Sequence, residues 1–176
     1  GSAGRGMKVA IIGGGPGGLY LAILLRRANP ATQVVIYERN RIEDTFGFGV
    51  VLSDATEGIL AEADDVTHAA MSAVMHRWGD IDVHINGECI TSGGHGYCGI
   101  GRQRLLNILQ ARAAALGVKQ VFEAEIADDA DPRLADADLI VAADGVNSQV
   151  RKKYAEQFLP DIDVRKEIWN GVAFVD

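Results

Sequence analysis

One run of glycines restricts this chain more than any other feature. Gly13-Gly14-Gly15-Pro16-Gly17-Gly18 stands between a short apolar run, Lys8 to Ile12, and a longer one, Leu19 to Ala28. The first run reads as a buried strand, and the second as a mostly apolar helix ending near Asn29-Pro30. Gln33 to Tyr37, rich in β-branched residues, is a second strand that runs into Glu38. Strand, glycine turn, helix and strand form a βαβ unit of about thirty residues, near the minimum for a parallel crossover. Such an opening commits the chain to an α/β fold built on a parallel sheet.

Each glycine of Gly13-x-Gly15-x-x-Gly18 has its own reason. Gly13 lets the chain turn sharply off the strand. Gly15 has no side chain, so backbone can approach a pyrophosphate. Gly18 lets the helix pack close to the sheet. The helix N-terminus offers free N–H groups and the positive end of its dipole to phosphate. Pro16 suits the first turn, where its missing N–H costs nothing. Gly13, Gly15, Pro16, Gly17 and Gly18 are therefore the candidate pyrophosphate cradle. Glu38 lies twenty residues beyond Gly18. A carboxylate there can accept both hydroxyls of an adenosine ribose and would repel a 2′-phosphate. The fold expected is Rossmann-like, a three-layer dinucleotide-binding fold of the kind that takes FAD or NAD(P).

The middle of the chain breaks the parallel pattern. Phe46 to Leu52 is Gly-rich with apolar residues between. Asp54 is a candidate cap for a helix over about 55–62, with Glu57 three residues later. Ala73 to Trp78, Ile81 to Ile85 and Glu88 to Thr91 alternate as strands do, and Asn86-Gly87 is a hairpin signal. An antiparallel meander over about 71–92 is expected, inserted into the parallel fold. Arg102 to Leu116 is the longest predicted helix, with Leu105, Leu106, Ile108, Leu109 and Ala113 on its core face and Gly117 as its stop. Val118 to Ile126 reads as a strand region. Asp128 to Asp138 reads as a solvated acidic connection. Asp138 to Ala143 reads as a buried strand running into Asp144-Gly145, with a helix expected over about 148–158.

Composition removes several classes. A formal net charge of -7 argues against nucleic acid and anionic membrane as partners. No apolar run is long enough to span a bilayer. Cys89 and Cys98 make no C-x-x-C pair, which fits a reducing, cytoplasmic setting. His68, His76, His84 and His95 do not pair at metal-ligand spacing, and Asp128, Asp129 and Asp131 lack the rest of a calcium loop, so no metal is expected. Residues 1–6 read as a tag or leader before Met7.

Two later segments carry a resemblance. Arg102-x-x-Leu105-x-x-x-Leu109 and Asp144-Gly145-Val146-Asn147-Ser148-Gln149-Val150-Arg151, behind the glycine fingerprint, resemble the single-component FAD-dependent aromatic hydroxylases, the p-hydroxybenzoate hydroxylase-like family. Glu38-Arg39-Asn40-Arg41, Thr45 to Asp54 and Gly94 to Ile100 are similar to its branch acting on aromatic acyl-CoA thioesters, that of salicylyl-CoA 5-hydroxylase and 2-aminobenzoyl-CoA monooxygenase. The tryptophan hydroxylase of violacein synthesis is a similar neighbour. The resemblance implies FAD as cofactor, NADH or NADPH as transient electron donor and a small aromatic substrate. It implies that Arg102 contacts the FAD pyrophosphate or ribityl chain, that Asp144 and Gly145 bring a strand end near the cofactor, that Arg39 is a cofactor-binding residue next to Glu38, and that Ile126 packs near the adenine. The hard chemistry rests on the flavin, so no catalytic triad is expected and no catalytic residue is assigned.

The resemblance covers about residues 7–160, expected to be the FAD-binding domain. The family's later Gly-Asp segment is missing; Gly79-Asp80 lies upstream of the Asp144-Gly145 motif and is a decoy. Residues 161–176 form an atypical tail, whose apolar Val172 to Val175 makes homo-oligomerisation plausible. The chain therefore reads as the FAD-binding, N-terminal portion of a monooxygenase, lacking the part expected for full activity. The alternative is a non-catalytic module that holds FAD or ADP. An NAD-dependent dehydrogenase accounts less well for the Arg102 and Asp144 segments together.

Overall fold

The computed structural model describes residues 6–44, 49–78, 81–85, 88–92 and 97–144. The chain divides into two compact units, the first made of residues 1–44 with most of 113–176, the second of residues 45–112.

The first unit contains β1 (Lys8–Ile12), α1 (Pro16–Ala28), β2 (Gln33–Tyr37), β8 (Lys119–Val121), a 3-10 turn (Pro132–Leu134) and β9 (Leu139–Ala142). Its four strands form one sheet in the order β8-β2-β1-β9. All three pairings are parallel, with Val9 opposite Val34 and Leu139, and Val35 opposite Lys119. β1 is buried on both faces, as the centre of a parallel sheet must be. Ile11 faces α1, which packs on β1 and β2 through buried Leu19, Ala22 and Ile23. The alternate residues Ala10 and Ile12 pack on the opposite face against Ile126 and Leu134, with Val35, Tyr37, Ala137 and Ile140 around them. One cation closes the bottom of this unit. Arg26, in the last turn of α1, donates to the carbonyl oxygens of Leu116 (2.6 Å), Thr32 (2.6 Å) and Pro30.

The second unit contains β3 (Gly49–Ser53), α2 (Asp54–Ala63), α3 (Asp65–Ser72), β4 (His76–Trp78), β5 (Ile81–Ile85), β6 (Glu88–Ser92) and β7 (Tyr97–Gly101). α4 (Arg102–Ala115) starts here, and the division between the units falls inside it. β3, β7 and β4 form an antiparallel three-stranded sheet in that order, and β5 pairs with β6 as a separate antiparallel hairpin.

The structure departs from the sequence pattern at several elements. α1 begins at Pro16, so Gly17 and Gly18 are helical residues and not part of the turn before the helix. The cap of α2 is Ser53, whose hydroxyl accepts from the Thr56 amide at 3.3 Å; Asp54 is already the first helical residue. Residues 71–75 are not strand. They end or follow α3, an unforeseen helix that buries Thr67 and Met71 on one face, and β4 keeps only His76–Trp78. The inserted antiparallel strands are therefore a hairpin and a three-stranded sheet, not one meander over 71–92, because β7 and the Gly-rich β3 pair with each other. Within the expected strand region from Val118 to Ile126, extended pairing is limited to β8, and Glu123 turns to φ 53. The segment 128–138 is not simply solvated: Asp131 caps the 3-10 turn and Leu134 is buried beneath the sheet. The expected Asn86-Gly87 turn, Gly79-Asp80, His95, Gly145 and the motif after it, the helix over 148–158 and the tail lie outside the described residues.

Candidate functional site

In the first unit the site is built at the carboxyl ends of β1, β2 and β9. β1 is where the strand order reverses, with β2 on one side and β9 on the other. In open α/β sheets ligands bind outside the strand ends at such a switch point.

The glycine loop starts there. Gly13 has φ +113, a conformation that side chains disfavour, and its amide donates to the Tyr37 carbonyl at 2.8 Å. A Cβ on Gly13 would lie 2.7 Å from the Ala143 carbonyl and the Asp144 nitrogen, so only glycine lets the loop approach the end of β9. Gly15 caps α1 with φ -75, and Pro16 takes the first helical position. A Cβ on Gly18 would sit 2.2 Å from the Gly13 carbonyl oxygen, which closes the helix onto the loop it springs from. Gly17 is different: nothing lies within 4 Å of a Cβ there. α1 carries no acidic residue in its first turn, so its amides and dipole meet no competing carboxylate from the helix itself.

Glu38 follows β2 directly. Its Oε2 accepts from the Gly14 amide at 3.2 Å, and a Cβ on Gly14 would lie 2.9 Å from the Glu38 Cβ. Gly14, a variable position of the fingerprint, is thus the contact that seats the acid, and sequence spacing alone did not single it out. Arg39 is exposed next to it. Asp144 follows β9; its Oδ1 is buried and has no hydrogen-bond partner among the described residues. The structure brings Gly13, Gly14, Gly15, Gly18, Glu38 and Asp144 to this one sheet edge. Ile126 is 4% exposed, and its side chain is occupied in the core with Ala10, Ile12 and Leu134.

In the second unit Arg102 is the first residue of α4, directly after β7. Its Nε is buried without a hydrogen-bond partner among the described residues. A guanidinium N–H held out of water needs an acceptor, and an anionic oxygen is the strongest one available.

Two carboxylates that sequence reading missed organise this unit. Glu57, on the buried face of α2, accepts from Arg77 of β4 (2.8 and 2.5 Å) and is 3.0 Å from His68 Nε2 of α3. The Cys98 thiol of β7 also donates toward Glu57, at 3.6 Å. Hydrogen bonds from Arg77, then His68, hold the Glu57 carboxyl at a pKa of about 2 against an ordinary 4.5. Burial pushes the Cys98 thiol up, so it is an inert packing group. Asp64, between α2 and α3, accepts from Arg112 of α4 through both oxygens at 2.9 Å and from the Thr67 hydroxyl at 2.5 Å. Burial pushes its carboxyl up, but the bonds from Arg112 and Thr67 outweigh that and leave it below the ordinary value.

A pH dependence follows from Glu57. A carboxyl with a lowered folded pKa adds stability above its unfolded pKa and loses it as the pH falls through the folded one. The contribution is therefore complete above pH 4.5 and is lost between there and about 2. Glu57→Gln is expected to lower Tm at neutral pH by the equivalent of about 2 kcal/mol, less than a fully buried pair because Arg77 is half exposed. It should also flatten the fall of Tm below pH 4.5, which thermal melts across that window would read.

Among the described residues no cluster of three or more His, Cys, Asp or Glu side chains forms a metal site. No helix among them is long and apolar enough to cross a membrane.

The sequence and the fold both match known proteins. Residues 6–175 match the family described as FAD binding domain. The chain is 46% identical over 171 residues to salicyloyl-CoA 5-hydroxylase of a Streptomyces species, covering 96% of this chain and 33% of that protein. It is 31% identical over 170 residues to protodeoxyviolaceinate monooxygenase of Chromobacterium violaceum, covering 95% of this chain and 45% of that protein. Among solved structures, the tetrameric form of 2-methyl-3-hydroxypyridine-5-carboxylic acid oxygenase superposes with a TM-score of 0.73 at 26% identity, over 85% of this chain and 42% of that one. The chain thus spans less than half the length of each of these relatives.

Proposed function

Since the chain belongs to the FAD binding domain family, we propose that it is the FAD-binding portion of an NAD(P)H-dependent monooxygenase that hydroxylates an aromatic substrate, in particular an aromatic acyl-CoA thioester. The substrate class is supported by the likeness to salicyloyl-CoA 5-hydroxylase. The electron donor, NADH or NADPH, is supported by the resemblance to the aromatic hydroxylases. FAD, when bound, supplies electron transfer from the nicotinamide and the activation of oxygen. Residues of this chain bind and orient it.

The observation that carries the proposal is the built loop: Gly13 at φ +113, Gly18 closed on Gly13, and Gly14 bound to Glu38 at 3.2 Å. The residues fit the cofactor in polarity as well. The α1 amides face a pyrophosphate, with Gly13, Gly15, Pro16, Gly17 and Gly18 as its cradle. Glu38 takes the adenosine ribose hydroxyls, with exposed Arg39 flanking it. The orphaned Asp144 Oδ1 accepts from a hydroxyl of the cofactor, with Gly145 following it in the chain. The orphaned Arg102 Nε donates to a phosphate or ribityl oxygen. Ile126 supports the adenine side by packing within the core.

Gly15→Val tests the cradle. Gly15 has φ -75, a backbone conformation open to valine, and losing glycine as the cap costs about 1 kcal/mol. The valine side chain stands where the pyrophosphate must approach. Melting should show a folded protein, and titration should show FAD binding abolished. Retained FAD affinity in the folded variant would refute the cradle assignment.

A further inference from the structure

We infer that Asp64 is a positioning residue for FAD binding: its ion pair with Arg112 sets helix α4 so that Arg102, at the start of that helix, meets the cofactor. The inference rests on the reading of Arg102 as an FAD ligand.

The geometry lies wholly within the second unit. Asp64 is held on every side. Its side chain is 0% exposed, its amide donates to the Leu60 carbonyl at 2.9 Å, and its own carbonyl accepts from the His68 amide at 3.1 Å. The carboxylate is therefore a fixed point, and Arg112 comes to it. Both Asp64 oxygens take guanidinium bonds of 2.9 Å, the planar fork that fixes direction as well as distance. Arg112 and Arg102 share one unbroken helix. A helix is a stiff rod with a rise of about 1.5 Å per residue, so an anchor ten residues along transmits both rotation and translation to the first turn. β7 is separately tied by Cys98, whose single S–H lies within reach of the Leu52 carbonyl (3.7 Å) and of Glu57 (3.6 Å), and which stands opposite Arg77 in the sheet. That tie sets where the backbone enters Arg102. Buried Leu105, Leu106, Leu109 and Ala113 pack the helix, and the fork at Arg112 adds a directional tie to that packing.

Energetics point the same way. A buried ion pair adds little net stability over an apolar pair of equal volume, because both charges must be desolvated. What it supplies is a narrow geometric tolerance. A ligand group must be held to about half an ångström to keep its contribution, and the Arg102 Nε is the buried donor at the far end of this rod.

The test is a double-mutant cycle on the full chain: wild type, Asp64→Asn, Arg102→Ala and the pair, each with FAD affinity by flavin fluorescence and Tm by melting. Asp64→Asn is expected to weaken FAD about tenfold, and Arg102→Ala about thirtyfold. In the Arg102→Ala background the Asp64→Asn loss of affinity should vanish, while its loss of Tm stays the same in both backgrounds. A purely structural role predicts the opposite: the two affinity losses multiply. That result would overturn the inference and leave the Arg102 reading standing. Wild-type affinity in Arg102→Ala would overturn both. Arg112→Lys keeps the charge, loses the fork and serves in the same cycle where Asp64→Asn fails to fold.

Discussion

Gly18→Ala should destabilise the chain by about 3 kcal/mol, the upper range for forcing atoms into a packed site. The added Cβ would stand 2.2 Å from the Gly13 carbonyl oxygen and 3.3 Å from the Ile11 side chain. Backbone cannot swing aside as a lysine tip can, so α1 must lift from the sheet. FAD affinity should fall at least about a hundredfold with it, because the loop amides leave their places together. The neighbouring residue gives the control. Gly17→Ala meets nothing within 4 Å and lies inside α1. It should raise stability by about 0.5–1 kcal/mol through lower unfolded-state entropy and better helix propensity. Gly17 belongs to the proposed cradle, so the control it offers is stability and not FAD affinity. Melts of the two variants read this contrast directly; equal changes in Tm would contradict the close approach of helix and loop.

The second large effect belongs to Glu38. Glu38→Ala is expected to weaken FAD about a hundredfold, from the loss of two charge-assisted hydrogen bonds to the ribose and the loosening of Gly14. FMN has no adenosine ribose, so its weaker binding should barely change. Glu38→Gln keeps an acceptor for the Gly14 amide, which is bound at 3.2 Å in the structure. Its loss should fall between those of the wild type and the alanine variant. Equal losses for FAD and FMN would remove the ribose role.

The parts of this account that were legible in the sequence are those written by local chemistry. β1 and β2 have the bounds that apolar runs and β-branching predict. The reasons assigned to Gly13 and Gly18 match a positive φ and a close approach. Family membership and the Rossmann-like order of parallel strands follow from the same motif. What could not be read locally depends on partners far along the chain. Glu57 looked like half of a capping box, yet its partners are Arg77 and His68 on other elements. A signal existed: Glu57 and Leu60, three apart on α2, share the buried face, and a charge on such a face needs a counter-charge. Asp64 finds Arg112 at a separation of 48 residues, which no spacing rule encodes. β7 and β3 were missed because glycines depress strand propensity, while their mutual pairing overrides it. Gly14 was missed because the fingerprint allows any residue there; the Glu38 side chain lying against it supplies the constraint.

The central claim is that this chain holds FAD through the loop from Gly13 to Gly18 and the acid at Glu38. Titration of FAD into the purified chain, followed by flavin fluorescence with FMN as comparator, tests it most directly. Saturable binding of one FAD per chain is expected, with FMN much weaker. A folded chain, verified by its circular dichroism, that binds no FAD at saturating concentration would contradict it.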